Sequence, residues 1–270
     1  MISKAFLALC LLCPCSLFAQ TLHFGTNLIA PGEIVQFAAP LNALGKWEVG
    51  KLKLPLRPAI GGFVIPEGFD LRRPWPLLIV NVPGGGHAIP MMRAYTNAAL
   101  SLGYAVLACD GPQLNEQLDT LQFGWGILST VLEQTVRTWP QIKGWPVVCA
   151  GFSGGAKRAA GTAAAMMHEN YRIAGIFMGG CNEDRASLGL NAYQPGERFK
   201  LVPLFLSNGS SDPIAGPDPA AAVKYSMQRF GFRNLRAEIY EGGHELNQKH
   251  LKTALEWFKG QLPQIAIKAK

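Results

Sequence analysis

The stretch Gly151-Phe152-Ser153-Gly154-Gly155 sets a serine between glycines, and its residue types could carry nucleophilic chemistry. A serine hydroxyl is a weak nucleophile at neutral pH. It needs a base to take its proton and donors to hold the negative charge that its attack creates. The apolar run Val147–Ala150 precedes this serine, and a helical pattern over 154–169 follows it. A strand that turns directly into a helix strains the serine and lifts its hydroxyl above the sheet edge. Small residues two before and two after let the neighbouring backbone pass. The helix start adds partial positive charge, and Gly154 offers an N–H to an oxyanion. A glycine-rich packing turn is the bland alternative, and the strand-to-helix junction argues against it.

Five histidines could supply the base. His23 falls in the amino-terminal segment, His168 ends the 154–169 helix and His250 belongs to the last helix. His244, in Glu241-Gly242-Gly243-His244, follows an expected strand at 235–240. Its loop therefore falls at the carboxyl edge of the sheet, where open parallel sheets bind ligands. The base needs a carboxylate to fix its tautomer. Asp212, in Ser207-Asn208-Gly209-Ser210-Ser211-Asp212-Pro213, follows the strand at 202–207 and meets that need. Asp218, beside Pro219 at a helix start, suits a capping role, and Asp110, after the strand at 104–109, is a weaker alternative.

Pro83-Gly84-Gly85-Gly86-His87 follows the strand at 77–82, and its glycines can present backbone N–H groups without obstruction. Gly85 is the first choice of oxyanion donor and Gly86 the second, each paired with Gly154. The loop matches neither nucleotide-binding glycine pattern, so a phosphate cradle is not indicated. His87 and Phe152 are expected to line the pocket. Nothing implies a metal or an organic cofactor.

These residues require a particular scaffold. Expected strands at 47–54, 61–65, 77–82, 104–109, 147–150, 173–178, 202–207 and 235–240 alternate with helices near 91–102, 123–139, 154–169, 218–230 and 247–261. Continuous apolar runs such as Leu77–Val82 mark strands buried on both faces. Strand and helix in this rhythm imply an α/β fold, a mostly parallel sheet of about eight strands with helices on both faces. The span 179–200 is too short for a lid domain, so the site is expected to be open. Residues 20–45 read as an arm over one catalytic domain at 46–270.

Composition agrees. Hydrophobic residues are 49% and charged residues 16%, which suits a compact body and excludes outright disorder. Thirty glycines and 19 prolines show no period, so collagen, solenoid and coiled-coil readings fall away. The net charge of +7 comes from scattered basic residues with no long run, which argues against nucleic-acid binding. Lys4, the apolar stretch Ala5–Leu12 and Ala19 before Gln20 have the layout of a secretory signal peptide over 1–19. Pro14 interrupts that stretch, which also falls short of a membrane span of about 20 residues. A secreted or periplasmic protein without a stable membrane anchor is expected. Of six cysteines, Cys109, Cys149 and Cys181 would remain, an odd number without metal-ligand spacing.

With nucleophile, acid and base in the order Ser153, Asp212, His244, the chain resembles the α/β-hydrolases over about residues 47–262. The stretch Val64-Ile65-Pro66-Glu67-Gly68-Phe69-Asp70, with Pro76-Leu77-Leu78, is similar to the lead-in of exported esterases of the feruloyl-esterase, acetylxylan-esterase and polyhydroxyalkanoate-depolymerase kind. Those families usually carry His-Gly where this chain has Pro83-Gly84. The resemblance implies a serine hydrolase cleaving carboxylic esters, small-molecule or polymer-borne, and the open site suits an ester carried on a bulky or polymeric molecule. A peptidase of the prolyl-oligopeptidase type and a noncatalytic binding protein on the same scaffold are the alternatives. Oligomeric state is not legible.

Overall fold

The computed structural model describes residues 22–111 and 120–268; the expected leader lies outside them. The first elements form a small antiparallel hairpin, β1 (Leu22–Phe24) and β2 (Asn27–Ile29). Gly25 takes φ 62° at the first position of the two-residue turn, a conformation open to glycine at little cost.

The body is one eight-stranded sheet. Its strands are β3 (Val35–Ala39), β4 (Ala59–Val64), β5 (Leu77–Asn81), β6 (Ala105–Cys109), β7 (Pro146–Phe152), β8 (Arg172–Gly179), β9 (Leu204–Gly209) and β10 (Leu235–Tyr240). They lie in the order β10-β9-β8-β7-β5-β6-β4-β3. The pairs β3–β4 and β4–β6 are antiparallel, and all the others are parallel.

Alternation along the central strands feeds two cores. Leu77, Ile79, Leu107, Val147 and Cys149 face one side. There they meet α3 (Leu121–Thr138) and α4 (Gly154–His168). Leu78, Val80, Val106, Val148 and Ala150 face the other, against α2 (Ala88–Ser101) and α7 (Gln248–Lys268). Burial on both faces is what turns these strands into continuous apolar runs. Two shorter helices, α5 (Arg185–Tyr193) and α6 (Pro217–Arg229), complete the α4 side. After β5 the chain builds β6 on one side through α2, then crosses back to place β7 on the other. That reversal opens a crevice at the carboxyl ends of β5 and β7, where a ligand can sit.

Two expectations change. Residues 47–54 are not a strand; α1 (Ala43–Lys51) is a helix, started by the Asn42 side chain accepting the Gly45 N–H at 2.7 Å. Its buried side consists of Gly45, Glu48 and Val49, a spacing of three and four. Gly45 lets the helix lie against α3, since a Cβ there would stand 2.7 Å from Thr130 Oγ1. The 20–45 segment is also more than an arm, because β3 is an edge strand of the main sheet and Phe24 is buried against Phe63 and Trp139. Cys109, Cys149 and Cys181 are buried free thiols.

Candidate active site

Ser153 closes β7 and opens α4 with φ 55° and ψ −122°, and its N–H donates to Gly179 O at 2.8 Å. Positive φ is costly for any residue with a Cβ, so this turn is held by its surroundings. The glycines of the pentapeptide are needed for backbone clearance. A Cβ on Gly151 would stand 2.1 Å from Gly155 O, and one on Gly155 would stand 2.2 Å from Asn81 O. Gly155→Ala is therefore expected to destabilise the protein by about 2–3 kcal/mol, because neither backbone can yield without moving a central strand. Urea unfolding of the purified variant checks this.

His244 follows β10, with its Nε2 2.9 Å from Ser153 Oγ and its Nδ1 2.8 Å from Asp212 Oδ2. A carboxylate can only accept, so Nδ1 carries the proton and Nε2 is left to accept from the serine. Tyr240 braces this loop, its hydroxyl lying 3.0 Å from Gly243 O and 2.5 Å from Glu245 O. The ring itself lies 4.7 Å from the Phe152 ring, centroid to centroid. On its edge is Gly180, at φ 57°, where a Cβ would stand 3.0 Å from His244 Cε1 and 2.7 Å from the Phe152 ring. Gly180→Ala should displace the imidazole and lower kcat by about 10- to 100-fold with a smaller change in KM. Steady-state kinetics on an aryl ester would show it.

Asp212 follows β9 and its carboxylate is fully buried. Burial pushes the carboxyl pKa up, but the N–H of Ala215, the His244 ring and the N–H of Ile214 outweigh it and hold it below the usual carboxylate range. Both N–H groups reach Oδ1 at 2.8 Å, leaving Oδ2 for the imidazole. The three expected residues therefore meet, each just beyond the carboxyl end of its own strand.

The glycine loop after β5 differs from expectation. Gly85 N–H donates to Gly111 O at 2.7 Å and Gly86 N–H to Pro83 O at 3.0 Å, so both chosen donors are already engaged. Gly84 N–H donates to no described residue, and Pro83 lies against Gly154, 3.1 Å from where a Cβ would stand. Of the three loop glycines only Gly84 keeps an N–H not spent on a described residue, next to Pro83, which packs on Gly154 at the start of α4. The missed signal was a pairing of Gly85 and Gly86 with Gly111, after a different strand.

His87, expected to line the pocket, hydrogen-bonds none of Ser153, Asp212 and His244. Its side chain is 76% exposed and lies 3.5 Å from Asp110 Oδ2, while Asp110 Oδ1 accepts the Ala88 N–H at 2.7 Å. Asp110 thus serves the start of α2. His250 lies 3.0 Å from Ser207 Oγ, His23 and His168 are exposed, and Asp218 occupies the first turn of α6. At the rim, Glu183 pairs with Lys157 and Arg185, tying the loop after β8 to the first turn of α4. Between β8 and β9 the chain carries only α5 and a 3-10 turn (Glu197–Leu201). Residues 112–119 lie outside the described residues. Among the described residues there is no group of three or more His, Cys, Asp or Glu side chains arranged to hold a metal.

No protein-family model and no curated protein sequence matches the chain. Solved structures do match in shape. Dienelactone hydrolase from Anabaena variabilis superposes with a TM-score of 0.56 at 20% identity, over 84% of this chain and 97% of that one. A cold-adapted esterase from an Arctic intertidal metagenomic library gives 0.60 at 12% identity, over 85% and 94%. Acylaminoacyl peptidase from Pyrococcus horikoshii gives 0.55 at 12% identity, over 86% of this chain but only 41% of its own length. The chain has the α/β-hydrolase fold. Within it, Ser153, Asp212 and His244 stand just beyond the ends of β7, β9 and β10.

Proposed function

We propose that the protein is a serine hydrolase that cleaves carboxylic esters through an acyl-enzyme. The observation that carries this reading is the unbroken line from Asp212 Oδ2 through His244 to Ser153 Oγ, with bonds of 2.8 and 2.9 Å. Ser153 attacks the carbonyl while His244 Nε2 takes its proton, and buried Asp212 stabilises the imidazolium. The tetrahedral oxyanion is held by the N–H groups of Gly154 and Gly84 and by the N-terminal end of α4. His244 returns the proton to the leaving alcohol, and water, activated by the same imidazole, releases the acid. The short β8–β9 connection favours bulky or polymer-borne esters over substrates that require a lid. The leader-like composition of 1–19 supports action outside the cytoplasm.

Labelling with a fluorophosphonate, followed by peptide mapping, tests the nucleophile. Stoichiometric modification at Ser153, absent from Ser153→Ala, is the expected result; no labelling near neutral pH would overturn the catalytic reading. A panel of aryl esters against aminoacyl anilides then tests the bond cleaved, and turnover of the anilides alone would make the protein a peptidase.

A further inference from the structure

We propose that the outward face of α1, together with the segment 52–58 that follows it, is a docking surface for an anionic phospholipid membrane. This inference does not depend on the reaction at Ser153. The inward side of α1 is Gly45, Glu48 and Val49, so Ala43, Lys46, Trp47, Gly50 and Lys51 face water. Trp47 is 65% exposed and Leu56, a few residues on, is 63% exposed, among the most exposed large apolar side chains of the described residues. Burying such side chains in the body of the protein would be favourable, and here two are left out within ten residues of chain.

Charge sets the occupant. From Asn42 to Pro58 the cations are Lys46, Lys51, Lys53 and Arg57, and the one carboxylate is Glu48. Glu48 is buried and engages Lys51 at 2.8 Å, so it does not offset the rest. Lys46, Lys53 and Arg57 form no ion pair with any described residue. A surface that offers an apolar phase and a layer of negative charge at the same depth satisfies both halves of this patch, and a bilayer rich in anionic headgroups is such a surface. Tryptophan settles at the headgroup level, leucine at the acyl boundary, and lysine and arginine stems lie along the apolar layer with their charges among phosphates. The segment is also stiff. Lys53 sits at φ 53°, and Pro55 and Pro58 fix the backbone on either side of Leu56 and Arg57, so docking orders little that is not ordered already.

The test is sedimentation of the purified protein with vesicles of phosphatidylcholine alone or mixed with phosphatidylglycerol. Binding is expected only with the anionic lipid and should weaken as salt is raised. Each cation removed should lower the partition coefficient about fivefold, so Lys46→Gln/Lys53→Gln/Arg57→Gln should lose about 100-fold. Arg229→Gln/Lys249→Gln/Lys252→Gln, with the same change in charge at exposed sites on α6 and α7, should lose far less. Trp47→Ser should weaken binding at every salt concentration. Equal binding to both vesicle types, equal losses in the two triple variants, or no binding would overturn the proposal. So would capture on dextran sulfate that is indifferent to Trp47→Ser, which would mark the patch as a site for a soluble polyanion. Melting curves that match the unsubstituted protein show that the variants are folded, and the lipid and salt dependence of the unsubstituted protein tests the proposal without them.

Discussion

Replacing Ser153 by alanine is expected to lower kcat on an aryl ester by about 10⁶-fold, with KM little changed. Only the hydroxyl is lost, and in the proposed reaction it serves bond making rather than holding the ester. Residual turnover should persist above the rate in water, because Gly154 and Gly84 can still stabilise an oxyanion formed by direct attack of water. The variant keeps a Cβ at φ 55°, so its fold should be no less strained and no less stable than before. Ser153→Gly separates the two roles of this residue. It should be as inactive, yet relieve the strain of a left-handed residue, worth about 1–3 kcal/mol before the extra freedom of glycine in the unfolded chain is counted against it. Initial rates and urea midpoints on the three proteins read both effects. An alanine variant within tenfold of full activity would remove Ser153 from the chemistry.

Asp212→Asn should cost about 10⁴ in kcat while leaving the site in place. The amide oxygen can still accept from Ile214 and Ala215, but an N–H now faces His244 Nδ1. That nitrogen must then accept, the ring proton moves to Nε2, and the face towards Ser153 can no longer take a proton. The substitution has a second signature in acid. Asp212 binds its proton less readily in the folded protein than in the unfolded chain, since its pKa is held low. Its contribution to stability is therefore complete above the ordinary carboxylate pKa of about 3.9 and is lost as pH falls through the lower folded value. Urea midpoints of the parent and of Asp212→Asn should be furthest apart near neutrality and converge in that acid window. A gap that stayed constant down to acid pH would mean that the carboxylate is not held as the hydrogen bonds indicate.

That Ser153, Asp212 and His244 meet was legible in the sequence, because each stands just past a strand and strand ends in a parallel sheet share one edge. Ser207 to Pro213 also announces a turn, with Asp before Pro, and the structure shows that turn presenting two N–H groups to the same carboxylate oxygen. Which loop glycine keeps its N–H was not legible, since the Gly85 N–H is spent on Gly111, a residue more than twenty positions away. Helix α1 was hidden for a different reason. Its buried positions are a glycine, a glutamate and a valine, which leave no apolar period to read, and its start is marked only by Asn42, whose side chain accepts the Gly45 N–H. Strand β3 was missed because, half-exposed at the sheet edge, it carries no continuous apolar run, and its pairing with β4 is set by tertiary contact.

The sheet order puts β10 at an edge, hydrogen-bonded to β9 alone, and His244 is carried on the loop that leaves it. Ser153 and Asp212 follow strands that have neighbours on both sides. Edges open at lower free energy than interiors, and an opening need not involve the rest of the molecule. Peeling of one strand would carry the imidazole away from its serine while both hydrophobic cores stayed closed. Loss of function under heat or denaturant would then run ahead of loss of structure, and the working lifetime of the protein would be governed by its outermost strand.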